Sequence, residues 1–186
     1  MVMSSVDIMK SDIHYKHWTG EDQLALEIAQ THSLSEITEI ALRVINRFAG
    51  DVEMVSGPIS TGGVGSVQGN LAVFGRAIEI LTEEKRRRIF SQMPFERKMG
   101  EFAKYWLPKE PNATYCWPIL LEFYGAVFAS GRVTKMNFIY GWQSSFGASW
   151  EYTRCQDHGI EIEYLPESLS QRIMEELDLR NFDSVH

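Results

Sequence analysis

From Asp51 onward, short runs rich in β-branched and aromatic residues alternate with segments whose apolar residues recur every three or four positions. Those two periods mark strands and amphipathic helices respectively. A chain that keeps switching between them builds βαβ units, which implies a mostly parallel sheet with helices on both faces. Val52–Ser56 reads as the first strand, and Leu71, Phe74, Ala77, Ile78 and Leu81 as the buried face of the helix that follows. Arg88–Met93 reads as a second strand, and Pro94 fits the first turn of a helix reaching about Trp106. Beyond a loop over Pro108–Asn112, Pro118 opens a helix through Val127 that stops at Gly131. Val133–Tyr140 is another strand, and the helix after it stops at Gly159. The alternation of Ile160–Tyr164 suggests a last strand at a sheet edge or with one solvated face, before Pro166 starts a final helix. The expected class is α/β, a three-layer sandwich occupying residues 51–186.

Residues 1–50 are expected to be a tail and a helical extension. The first 18 or so are polar and irregular; His14 and His17 lie three apart, a spacing that could hold a metal but lacks a third ligand, so a frayed tail is expected. A short helix follows with Leu24, Leu26, Ile28 and Ala29. Ser33-Leu34-Ser35-Glu36 has the form of a capping box, opening a helix with Ile37, Ile40, Ala41, Val44, Ile45 and Phe48 on one stripe. That stripe should pack on the main domain or on a second subunit, so a homodimer is a reasonable expectation.

Composition narrows the classes. A formal charge of −7 argues against nucleic-acid binding, which draws on basic surface. The single basic run, Arg86-Arg87-Arg88, follows a helical pattern and is expected to be a solvated helix terminus. Cys116 and Cys155 fit neither a CxxC motif nor a disulfide framework. No apolar run has the length of a membrane span and no signal-peptide core is visible, so a cytoplasmic protein without membrane contact is expected. Nothing in the pattern calls for a metal or a cofactor.

Two stretches carry the candidate chemistry. The first, Gly57-Pro58-Ile59-Ser60-Thr61-Gly62-Gly63-Val64-Gly65-Ser66, follows a strand and is rich in glycine and hydroxyls, so its amides could wrap a phosphate or sugar. It is neither a Walker motif nor a GxGxxG fingerprint, and a plain surface loop is the other reading. The second is Trp142-Gln-Ser-Ser-Phe-Gly-Ala-Ser-Trp-Glu151. Ser144 or Ser145 could cap a helix whose first amides face a ligand. Glu151, four residues after Gly147, should lean back over a turn with no side chain to cover it. The helix dipole there favours an ionised carboxylate, which suits a nucleophile. The plainer alternative makes Ser145 an ordinary cap, Gly147 a packing glycine and Glu151 a surface residue. Trp142 and Trp150 could stack on a base or be buried packing.

Together these stretches resemble the nucleoside 2-deoxyribosyltransferase-like superfamily. The resemblance rests on a first strand ending Ser-Gly-Pro, on Asn70-Leu71-Ala72-Val73-Phe74 with Ala77 a turn later, and on the Trp142–Glu151 stretch with Cys155 and Gly159-Ile160. It spans roughly Asp51 to Leu165 in element order and is specific at these two ends. It implies a flavodoxin-like fold, active sites often shared across a dimer, and cleavage of the N-glycosidic bond of a nucleoside or nucleoside 5′-monophosphate. The residue at Glu151 would be the nucleophile toward an oxocarbenium-like transition state. Gly57, Pro58, Ser60, Thr61, Ser144, Ser145, Gly147 and Trp142 would bind substrate. Ser145 stands where true deoxyribosyltransferases carry aspartate, and in this looks more like the nucleotide N-hydrolase branch, in which a hydroxyl holds a 5′-phosphate. The aspartate expected near the start of the preceding strand is missing from Val133-Thr134-Lys135-Met136, which leaves Glu96 and Glu122 as candidates for the second acid. That gap motivates the alternative of a non-catalytic nucleotide sensor or interaction domain.

Overall fold

The structure, a computed structural model, describes residues 13–179. Most of the expected N-terminal tail and of the loose C-terminal end lies outside those residues. Strands β1 (Val52–Ser56), β2 (Val133–Phe138) and β3 (Glu161–Tyr164) form a parallel sheet in that order. Ser56 lies beside Phe138 and Phe138 beside Tyr164, so the three strands finish together at one rim. The helices are α1 (Gly20–Ile28), α2 (Leu34–Asn46), α3 (Val67–Glu83), α4 (Glu96–Trp106), α5 (Gly125–Ala129), α6 (Phe146–His158) and α7 (Glu167–Glu176). A π-helical stretch, Ile119–Tyr124, leads directly into α5.

The pleat assigns the layers. Met54, Ser56, Met136 and Phe138 point to one face, where they meet α2, α4, α5 and α6; Val55 points to the other, where Val73, Phe74 and Ile78 of α3 and Ile173 of α7 cover it. The architecture is α/β with helices on both faces of an open parallel sheet.

The fold departs from three of these expectations. The second strand is reduced to one bridge, Ile89 to Glu53, on the side of β1 away from β2. Phe90 N–H donates to the Glu53 carbonyl at 2.8 Å, and a parallel ladder would continue with the residue 92 amide on Val55. The chain instead turns into a 3-10 segment at Met93–Phe95, and the Gln92 side-chain Nε2 takes the Val55 carbonyl at 2.9 Å. The capping box also moves. Glu36 accepts from Gln30 N–H at 3.0 Å, and Ser33 makes no cap bond. A reciprocal box forms instead between Thr19 and Asp22 at the start of α1. Finally, Arg87 is not a solvated terminus: its guanidinium reaches Glu163 of β3 at 2.7 Å, Asn137 of β2 at 2.7 Å and Glu53 of β1 at 3.3 Å, tying the three strands together.

The α2 stripe is wholly interior. Ile37, Ala41 and Ile45 are fully buried, in the same apolar cluster as Met54 and Met136. Burying each such isoleucine stabilises the fold by roughly 1.5–3 kcal/mol. The boundary expected at Asp51 therefore separates sequence patterns rather than cores. His14 belongs to the packed interior too, with Nδ1 2.8 Å from Ser91 Oγ; burial pushes its pKa down to about 4. No helix among the described residues is long and apolar enough to cross a membrane.

Candidate active site

At the rim where β1 and β2 end, the chain leaves the sheet through two turns that meet each other. After β1 comes the glycine-rich loop, and Asn70 of α3 holds its shape. The buried Asn70 amide donates to the Ile59 and Gly62 carbonyls, both at 3.0 Å, and accepts from Val64 N–H at 2.8 Å. Gly62 and Gly63 adopt φ of +69° and +65°, which side-chain-bearing residues rarely do. After β2 comes the turn that caps α6. Ser145 is the N-cap, its Oγ accepting from Ala148 N–H at 3.3 Å. The two turns are stitched together: Gly63 N–H donates to Ser144 Oγ at 3.2 Å, and Phe146 N–H donates to Thr61 Oγ1 at 3.2 Å.

These contacts sort the expected site residues. Gly57, Ser60, Ser145, Gly147 and Glu151 converge on one small cavity of about 40 Å³. Pro58 and Ser144 face a second hollow across the loop, beside Gly63, Asn70 and Tyr140. Thr61 spends its hydroxyl on a helix amide that was expected to meet ligand. Trp142 lies in an aromatic stack, 4.8 Å from the ring of Tyr152 and 6.4 Å from that of Tyr164, and does not line the cavity. Of the two candidate second acids, Glu122 is exposed and borders a separate surface depression, whereas Glu96 is partly buried.

Glu151 lines the cavity and is only 6% exposed. The Ser56 hydroxyl donates to its Oε2. Burial pushes its pKa up to about 7, against the lowering effect of the Ser56 bond. This corrects the expectation of a bare, charged carboxylate at the helix mouth, because loss of water outweighs the favourable helix terminus. Glu96 does not line the cavity, and its Oε1 is sealed from solvent and without a hydrogen-bond partner. Burial raises its pKa to about 8, and the nearby Glu151 charge adds to the shift. Burial raises both carboxyls, and the charge of one disfavours ionisation of the other.

Sequence reasoning missed the rest of the wall. Tyr115, Tyr124, Gln92, Phe74 and Leu120 line the cavity, and none carries a spacing signal of its own. Tyr115 comes from a segment that reads as featureless loop. It lies close over Gly147, where an added Cβ would come within 2.9 Å of its hydroxyl. Burial, then the Glu151 charge, pushes the Tyr115 hydroxyl up to about 12 despite the Ser60 hydroxyl beside it, and burial holds Tyr124 well above the usual tyrosine range. Both stay protonated and able to donate. At the rim, Tyr115, Trp117 and Phe146 form an aromatic group with Trp117 and Phe146 ring centres 5.1 Å apart and both rings partly exposed. The arrangement joins a buried carboxyl, phenolic donors and an aromatic lip around one small cavity, with a second buried carboxyl near Glu151. The chain matches no protein-family model, no curated protein and no solved structure.

Proposed function

We propose that the protein cleaves the N-glycosidic bond of a nucleoside or nucleoside 5′-monophosphate, with Glu151 as the nucleophile. One observation carries the reading: a buried carboxyl that titrates near neutrality lines the cavity, with a second, more basic carboxyl electrostatically coupled behind it. Between about pH 7 and about pH 8 the pair mainly holds one proton, which is the charge state that glycosidic cleavage uses. An ionised Glu151 oxygen bonds to the anomeric carbon as the C–N bond breaks, the electron pair leaving with the base. Neutral Glu96 is the proton reserve for that base. Water then attacks the glycosyl-enzyme ester and the sugar is released.

The setting supports the same reading. A site at the carboxyl ends of adjacent parallel strands is where open α/β sheets bind ligands. With the Ile89 bridge outside β1, the spatial sequence of segments runs Ile89, β1, β2, β3, which agrees with the first four positions of a flavodoxin-like order and with the superfamily resemblance. The Trp117–Phe146 lip gives a planar base a surface to stack on, a role expected of Trp142. The test is release of free base from a panel of nucleosides and 5′-monophosphates by the protein and by Glu151→Gln. Release that the substitution abolishes supports the proposal. Tight binding without release points to a nucleotide-binding module instead, and full activity in Glu151→Gln removes Glu151 from the reaction.

A further inference from the structure

We infer that the cavity selects a ribosyl over a 2-deoxyribosyl group, with the Gln92 side-chain oxygen as the acceptor for the 2′-hydroxyl. The inference rests on the proposed reaction at Glu151 and adds to it the sugar class, which no sequence motif specifies.

Gln92 is 1% exposed and lines the same cavity as Glu151. Its amide orientation is settled by bonding: Nε2 donates to the Val55 carbonyl at 2.9 Å, and a carbonyl oxygen can only accept. Oε1 is thereby left facing away from β1, buried and without a hydrogen-bond partner. Buried side-chain acceptors are rarely left so, and an isolated one in a cavity points to a donor on the ligand. The neighbouring groups sharpen this. Ionised Glu151 also only accepts, and the Ser56 hydroxyl is already spent on it. Phe74, Ile59 and Leu120 donate nothing, and the Tyr124 hydroxyl, which meets the Gln92 side chain, leaves Oε1 without a partner. None of these groups bonds to Oε1, so the donor it lacks is one that a ligand can bring.

A β-nucleoside attacked at C1′ from the side opposite its base presents its C2′ and C3′ hydroxyls on the attacked face when the sugar is ribose. The C2′ hydroxyl adjoins the reacting carbon. A 2-deoxy sugar places a C–H there, leaving Oε1 dehydrated and unpaired, and a site that hydrogen-bonds a substrate hydroxyl discriminates strongly against the analogue lacking it.

The test uses ribo- and 2′-deoxyribonucleoside 5′-monophosphates paired by base, comparing kcat/KM for base release and, by calorimetry, Kd. The wild-type protein should favour the ribo member of each reactive pair by at least about tenfold. Gln92→Met keeps the side-chain length and removes the acceptor, so the preference should fall to about twofold or less. Gln92→Glu, neutral beside two other buried carboxyls, keeps an acceptor oxygen and a donor for Val55, and should retain the preference. Each ratio is taken within one protein, so partial unfolding does not move it. Equal or better use of deoxy substrates by the wild type, or an unchanged ratio in Gln92→Met, overturns the inference and leaves Glu151 untouched. Absence of base release overturns the reaction instead, while the Kd ratio still decides the sugar. Absence of binding by either sugar overturns both.

Discussion

The hydroxyl of Ser56, the last residue of β1, donates a hydrogen bond to the Glu151 carboxylate of α6. This contact joins the two arms of the site, and it is the one interaction opposing the burial that raises the Glu151 pKa. Ser56→Ala should therefore raise that pKa further. The acid limb of the pH–rate profile should move to higher pH, with more activity lost at pH 7 than at pH 8.5. Profiles of kcat/KM for the two proteins check this, and an unmoved limb would separate Glu151 from the reaction.

The active form needs Glu151 ionised and Glu96 neutral. Activity should rise through about pH 7 and fall through about pH 8, as first Glu151 and then Glu96 lose a proton. In Glu96→Gln the alkaline fall should disappear while the acid limb stays in place, because Glu96 is neutral over the range in which Glu151 titrates. A fall that persists unchanged in Glu96→Gln would assign it to another group.

Both carboxyls also oppose folding at alkaline pH. Their folded pKa values, about 7 and about 8, lie above the ordinary 4.5, so the folded protein holds protons that the unfolded chain has lost. Their contribution to stability is fully present below pH 4.5 and is lost as pH rises through 7 and 8. Glu151→Gln and Glu96→Gln should each raise Tm at pH 8.5 and change it little at pH 4.5. Thermal melts across that range test the sign; a stabilisation largest in acid would contradict the burial argument.

Much of the frame was legible because β1, β2, β3 and the long helices are periodic over several residues. The Arg88–Met93 strand was not, because a single side chain, Gln92, takes over a backbone position and lets the chain turn early. Ser33 and Glu36 had capping-box spacing, but Glu36 serves an amide outside the helix. The Gly147–Glu151 spacing suggests a carboxyl over the first turn of a helix, and both residues line the cavity. The charge state of Glu151 was not legible, since it depends on how fully the folded chain buries its carboxyl. Tyr115 had no signal, because its role comes from an approach to Gly147 that only the folded chain creates.

That approach is testable as a pair. Gly147→Ala puts a methyl group 2.9 Å from the Tyr115 hydroxyl, whereas the next Tyr115 atom, Cζ, would be at 3.8 Å, an ordinary contact. Gly147→Ala alone should cost about 1–3 kcal/mol through overpacking. Adding Tyr115→Phe should recover most of it, since the clashing atom is gone and alanine favours the helix. Urea titration of the single and double variants gives the coupling, and strictly additive costs would show the two residues do not meet.

Asn70 makes three hydrogen bonds that hold the glycine-rich loop. Asn70→Ala should destabilise the protein by about 2–3 kcal/mol through the unpaired loop groups and raise KM more than it lowers kcat. Denaturant unfolding and steady-state kinetics together check this; a change in kcat alone would place the loop outside substrate binding.

The central claim is a glycosyl bond to Glu151, and the stereochemistry of transfer tests it most directly. With methanol as acceptor and a β-ribonucleotide as donor, two successive displacements return the starting configuration. Proton NMR of the product mixture should show the methyl β-riboside with the wild-type protein and no riboside with Glu151→Gln. Formation of the α-riboside, or of the β-riboside by Glu151→Gln at the wild-type rate, would contradict the account.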